Sequence, residues 1–138
     1  MPSVDINPLA VLVCTIIYMV LGALWYSPLL FANRWMALMG KSQEEMQQMD
    51  YNPVKLYGLT ALGALIQCYI LAHIVYFADA NTIRGGIETG FFIWLGFVAV
   101  TNLNLVLFEG RSLGLYIINN GYHLVALVLA ATILSLWK

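Results

Sequence analysis

The run TGFFIWLGFVAVTNLNLVLF, residues 89–108, is followed by the triplet Glu109-Gly110-Arg111 and then by SLGLYIINNGYHLVALVLAATILSLW, residues 112–137. Neither run contains an Asp, Glu, Lys or Arg, and they are 20 and 26 residues long. A helix needs about 20 apolar residues to cross a hydrocarbon core about 30 Å thick, so each run is long enough to span a bilayer. The three residues between them leave room only for a tight turn between antiparallel neighbours. This pair predicts a transmembrane helical hairpin.

Two more charge-free runs precede the pair: Ile6–Asn33, with 28 residues, and Leu56–Ala78, with 23. Together the four runs occupy 97 of the 138 residues, and only 9% of the chain is charged. A soluble domain carries about 25% charged residues, so a soluble globular fold is excluded. The expected fold is an all-α integral membrane bundle of four transmembrane helices at about residues 8–31, 54–78, 84–108 and 112–137. Residues 1–138 are expected to form a single transmembrane domain. The formal net charge is −1, and the basic residues Arg34, Lys41, Lys55, Arg84, Arg111 and Lys138 stand singly. Nucleic acid is not expected as a partner, because phosphate binding needs clustered Lys and Arg. The lipid bilayer is.

The first run differs from a secretory signal peptide. Its leading residues carry Asp5 and no Lys or Arg, the apolar stretch is too long, and no clear cleavage site closes it. Its helix should start at Asn7-Pro8, with Pro8 where a missing N–H costs nothing, and should kink or break at Ser27-Pro28. Trp25 and Tyr26 suit an interface. Beyond them, Trp35, Leu38 and Met39 have the i, i+3, i+4 spacing of an amphipathic segment lying in the interface between helices 1 and 2. Ser42-Gln43-Glu44-Glu45 fits a capping box, with a short polar helix through Met46 and Met49 to follow. Cys14 and Cys68 fall at different depths and are expected as two buried free thiols.

Orientation follows the Lys/Arg bias of the short connections. Arg34, Lys41, Lys55 and Arg111 lie on one side; Arg84 and Lys138 lie on the other. This bias places both termini on the non-cytoplasmic side. No internal repeat is evident.

Polar side chains in hydrocarbon are costly and usually face a bundle interior or a cavity. Ser112, Tyr116, Asn119, His123, Ala126 and Ala130 follow a 4-3-4-3-4 spacing, one seam of helix 4. In helix 3 the seam is Glu88, Phe92, Leu95, Ala99, Asn102, Val106 and Glu109. Helix 2 offers Thr60, Gly63 and Gln67, and helix 1 offers Thr15, Tyr18, Gly22 and Trp25. Depth aligns the seams further. Counted from Gly110, Asn102 and Asn119 are both about 12–14 Å into the membrane. Asn104 and Asn120 flank them, and His123 lies about a turn deeper. The candidate site is thus an intramembrane polar layer of Asn102, Asn104, Asn119, Asn120, His123 and Gln67. Such residues serve either as packing glue between helices or as a site for a ligand or permeant. Both readings stay open from the residues alone.

No cofactor or metal is expected. His73 and His123 differ in depth by about 15 Å, too far for one haem to bridge within the chain. No metalloprotease, phosphate-loop, nucleophile-elbow or dinucleotide motif occurs. With no nucleophile–base pair, an enzyme is not expected. Small multidrug-resistance exporters resemble the chain in size, but they use a central carboxylate, and no Asp, Glu, Lys or Arg lies in the middle of any span.

The segments Gly22-Ala-Leu-Trp-Tyr-Ser-Pro-Leu-Leu-Phe31, Trp35-Met36, Met39-Gly40, Phe108-Glu-Gly-Arg-Ser112 and Asn119-Asn-Gly-Tyr-His123 resemble the DUF1761 family of small membrane proteins. Gly90–Phe97, with Trp94-Leu-Gly-Phe97, is similar too. The resemblance implies a multi-pass protein of the bacterial inner (cytoplasmic) membrane and transfers no activity. It marks Trp25, Tyr26, Ser27, Pro28, Glu109, Arg111, Asn119 and His123 as motif positions. The functional expectation is a homo-oligomeric channel or transporter-like protein with the Asn/His layer lining a cavity. A non-catalytic accessory subunit of a larger membrane complex is the alternative.

Overall fold

Two of the spanning helices begin with the same dipeptide, and the reason is visible at their first turns. In the computed structural model, which describes residues 3–40 and 52–138, Asn7 Oδ1 accepts hydrogen bonds from the Leu9 and Ala10 amides at 3.0 and 3.4 Å. Asn52 Oδ1 does the same for the Val54 and Lys55 amides at 3.0 and 3.3 Å. Each asparagine supplies acceptors that the first helical turn lacks, and the following proline, Pro8 or Pro53, sits where no donor is needed. These caps open α1, Pro8–Trp25, and α3, Pro53–Phe77. Thr82 caps α4, Ile83–Leu107, through its bond from the Gly85 amide at 3.0 Å. Ser112 caps α5, Leu113–Leu136, through the Leu115 amide at 3.4 Å.

These four helices are each long and apolar enough to cross a membrane, and among the described residues there is no strand. The fold is an all-α transmembrane bundle. The first helix is shorter than its hydrophobic run, ending at Trp25 rather than near residue 31. Pro28 has no amide hydrogen to continue the ladder. The chain instead closes a set of turns: Ser27 Oγ donates to the Leu24 carbonyl at 2.6 Å, and the Phe31 amide returns to the Trp25 carbonyl at 3.1 Å. A short helix α2, Ala32–Met39, follows. It carries the Trp35, Leu38, Met39 spacing and packs against the start of α5. The capping box Ser42–Glu45 and the polar helix through Met46 and Met49 lie outside the described residues.

α4 and α5 share the most extensive contact in the bundle, and small residues make it possible. A methyl group built on Gly86 would fall 2.5 Å from Thr132 Cα, and one on Gly90 would fall 2.8 Å from Val128 Cα. The two backbones touch, so only hydrogen fits between them. On the other side of α5, Ala126, Ala130 and Ala131 are fully buried with Ala10 and Cys14 of α1. Cys14 and Cys68 are both free and buried. The outward faces carry Leu9, Leu12, Ile16 and Val20 of α1 and Leu62, Leu65 and Ile66 of α3, all exposed. An apolar exterior over an interior of small side chains is the packing a bilayer selects.

α4 is not one regular helix. Residues Trp94–Ala99 wind as π-helix between two α-helical halves, which takes up one more residue than regular winding. The bundle-facing positions are therefore Gly86, Gly90, Trp94, Ala99, Asn102 and Val106, with a step of five across the π segment. The regular seam predicted through Glu88, Phe92 and Leu95 is incorrect for this half. Phe92 and Leu95 are 67% and 43% exposed, and Glu88 pairs on the surface with Arg84 at 2.9 Å.

Candidate functional site

At the end of the bundle that carries the Glu109–Arg111 turn, the helices separate around a cavity of about 340 Å³. Its polar walls are Asn102 of α4 and Tyr116, Asn119, Asn120 and His123 of α5, with Tyr26 at the end of α1. Arg111 and Ser112 border it at the turn, and Met39 of α2 closes one side. Gly110, with φ of +65°, takes the left-handed conformation that lets two antiparallel helices connect through residues 108–112.

Hydrogen bonds fix most of this lining. Asn120, 4% exposed, is the hub. Its Oδ1 accepts from Asn102 Nδ2 at 2.8 Å, and its Nδ2 donates to the Tyr116 carbonyl at 2.9 Å. Its backbone carbonyl accepts from the Trp94 indole at 2.8 Å. Tyr116 in turn donates to the Ala99 carbonyl, the last of the π segment, at 2.7 Å. The irregular winding of α4 is thereby clamped to α5 at both its ends, by Trp94 and by Ala99. π-Helical winding also leaves carbonyls off the regular ladder, and the Tyr116 hydroxyl satisfies one where water is scarce.

The α1 side is held the same way. Trp25 Nε1 donates to the Ile118 carbonyl at 2.9 Å, and Tyr26 donates to Asn119 Oδ1 at 2.6 Å. Tyr122 donates to the Tyr18 carbonyl at 2.8 Å and packs edge-on against Tyr26, centroids 5.9 Å apart. Tyr26 also meets Trp35 of α2 edge-on at 6.2 Å, so α2 is positioned by the same tyrosine that binds Asn119. Tyr26 and Tyr122 line a second cleft, of about 510 Å³, between α1 and the first turns of α3.

What remains unused faces the cavity. Among the described residues, Asn119 Nδ2 and both ring nitrogens of His123 have no hydrogen-bond partner, and the His123 ring lies 5.1 Å from that of Tyr122. Arg111 is the one charged residue of the lining among the described residues. It meets Glu109 at 3.5 Å, with both side chains more than half exposed. Among the described residues, the lining thus offers amide, imidazole and guanidinium donors and no carboxylate.

Four residues of the predicted layer, Asn102, Asn119, Asn120 and His123, stand together here. Two do not. Gln67 is exposed on the outside of α3, whose bundle-facing side is Ala64, Cys68, Leu71 and Val75. Asn104 is exposed on α4, two residues beyond Asn102 and so turned away from it. Gly63 also faces away from the packed core, and Thr60 borders the cleft beside α1, so the polar stripe predicted for helix 2 does not join the layer. Conversely Tyr26, expected only as an interface residue, is wired into the layer. Trp94 was not singled out as a partner of Asn120, because its place depends on the π segment. Among the described residues no group of three His, Cys, Asp or Glu side chains is placed to hold a metal ion. His73 lies elsewhere, with its Nδ1 2.9 Å from the Tyr69 carbonyl.

Residues 9–135 match the model of a family described as protein of unknown function (DUF1761). The chain belongs to this family. No curated protein and no solved structure matches the chain. In this DUF1761 protein the matched region takes in all four spanning helices but for one residue at each outer end. Tyr26, Arg111, Asn119 and His123, with Tyr26 bonded to Asn119 across 93 positions, line the cavity at one end of the bundle, and Trp25 anchors beside it on the Ile118 carbonyl.

Proposed function

We propose that this protein is a transporter-like membrane protein whose vestibule takes in a small polar solute from the membrane face carrying the Glu109–Arg111 turn. One observation carries the reading: a cavity of about 340 Å³, formed within a single chain, is lined by Asn102, Asn119, Asn120 and His123 well inside the spanning helices. Ligand pockets start at about 300 Å³, so the volume suits a compact metabolite. Side chains that served only as glue would bond one another and close the space. Here the Asn119 Nδ2 donor and both His123 ring nitrogens have no partner among the described residues, although Asn119 Oδ1 is held by Tyr26.

Beyond His123 the interior is filled by Ala126, Leu127, Ala130 and Ala131 and by the Gly86/Gly90 contact with α5. A vestibule with a closed inner end supports a carrier rather than an open pore. With Arg111 at its border and no carboxylate among the described residues of the lining, the vestibule suits a neutral or anionic solute. The Lys/Arg bias supports a vestibule facing the cytoplasm of a bacterial inner membrane, with α2 lying along that interface.

Uptake into proteoliposomes of a panel of small neutral and anionic metabolites tests this. At least one class should enter. Asn119→Leu and His123→Leu should each lower its flux about 10-fold or more, the effect of leaving one hydrogen-bonding group of the solute unpaired. The variants should elute from a sizing column like the parent. Equal flux in parent and variants would remove the reading.

A further inference from the structure

Gln67 stands 14 residues from the start of α3 and 10 from its end, near the middle of a 25-residue spanning helix. Its side chain is exposed, and among the described residues it has no hydrogen-bond partner. A primary amide has two donors and an acceptor to satisfy, and lipid tails offer neither. An amide left bare at mid-membrane depth is costly, so such side chains face protein or a water-filled space. The two cavities around Tyr26 and Tyr122 do not include Gln67.

The residues around it repeat as a packing seam. Gly63, Gln67, Ile70 and Ile74 follow a 4-3-4 spacing, and Leu56 and Thr60 extend it toward the cleft beside α1. This is the heptad spacing by which helices pack side by side. All six are exposed. The seam runs beside the buried stripe of Ala64, Cys68, Leu71 and Val75, about 100° around the helix from it. A methyl group on Gly63 would touch nothing within 4 Å, so a neighbouring backbone has room to approach one turn from the amide.

We propose that this face of α3 is the contact between two copies of the chain, packed parallel about a two-fold axis along the membrane normal. Three features select a second copy over another partner. In a parallel two-fold pair both Gln67 side chains stand at the same depth, and an amide is self-complementary, each donating to the other's carbonyl. The seam carries no charge that would call for an opposite charge on a different protein. A polar amide in a heptad seam also fixes register and oligomer state, so the pairing is specific as well as satisfied. The interface is independent of what the vestibule holds.

Cysteine cross-linking in native membranes tests the proposal. Gln67→Cys and Ile74→Cys, two positions of the seam, should give a homodimer band after copper-phenanthroline oxidation. Leu62→Cys, exposed but about 140° around the helix from Gln67, should not. The parent chain, whose two thiols are buried, supplies the baseline. Gln67→Leu, which keeps the side chain's bulk and removes its polarity, should weaken dimerisation in bilayers about 3- to 20-fold, the span measured for interhelical hydrogen bonds in membranes. A monomer from Gln67→Cys and Ile74→Cys alike would overturn it. So would a cross-linked product with the mass of a different protein, or a dimer equally formed by Leu62→Cys.

Discussion

Replacing Gly86 by alanine should cost about 3 kcal/mol or more of stability in mixed-micelle unfolding, at the upper end for overpacked sites. The added methyl would lie 2.5 Å from Thr132 Cα and 3.0 Å from the Thr132 nitrogen. Neither is the tip of a side chain that can rotate aside; both belong to the main chain of α5. Relief requires the two helices to part, and α4 has no other partner of comparable extent. Parting would also strain the Trp94–Asn120 and Tyr116–Ala99 bonds further along the same contact. Gly96→Ala makes the matching control. It lies on the same helix with nothing within 4 Å of the new methyl, and should be neutral or slightly stabilising because alanine is the better helix former. Similar stabilities for the two variants would mean that α4 and α5 are not in backbone contact at Gly86.

Trp25→Ala should be nearly as damaging, at about 2–3 kcal/mol, below the full range for a buried aromatic because the indole is half-buried. The ring lies 4.9 Å from Phe31 and 6.5 Å from Tyr122, centroid to centroid. Its nitrogen donates to the Ile118 carbonyl. The loss should not stay local. Trp25 anchors the last turn of α1, and the next residue, Tyr26, holds Asn119. Removing the anchor should release Asn119 and lower uptake as well as stability. Trp25→Phe, which keeps an aromatic ring but loses the donor and part of the indole's bulk, should cost about 1–2 kcal/mol, one hydrogen bond plus some packing. The check is unfolding and flux on the same preparations. A Trp25→Ala protein with parental stability would show that the indole is not part of the bundle's packing.

Helix number and approximate span were legible because charge is excluded from hydrocarbon, and the charge-free runs mark where that exclusion acts. The Asn-Pro starts were equally plain, since both residues act through local backbone chemistry. Facing was harder. In water, the apolar side of a helix turns inward; in a bilayer both sides are apolar, and the inner one is recognised by small size rather than by hydropathy. On α5 polar and small residues coincide, so Tyr116, Asn119, His123, Ala126 and Ala130 were read together. On α3 they diverge. Ala64 and Cys68 face the bundle while Gly63 and Gln67 face away, and a polarity rule picks the outer stripe.

Helix α4 shows a different failure. Asn102 was placed by its distance from the Gly110 turn, which lies on its own side of the π segment. Phe92 and Leu95 were placed by carrying regular periodicity across that segment, where one extra residue moves them out of the contact. Nothing in Trp94-Leu-Gly-Phe97 announces the change of winding. The clamp that accompanies it comes from Asn120 and Tyr116 on another helix.

The most direct test of a one-sided vestibule is chemical access to its interior. In Asn119→Cys, the new thiol would stand about 12–14 Å inside the membrane, at the depth of Asn102. A membrane-impermeant thiol reagent should modify it from the face that labels a Gly110→Cys control, and not from the opposite face. Labelling from that one face is the result the vestibule requires. A thiol at position 119 that reacts from neither face, or from the opposite one, would contradict it.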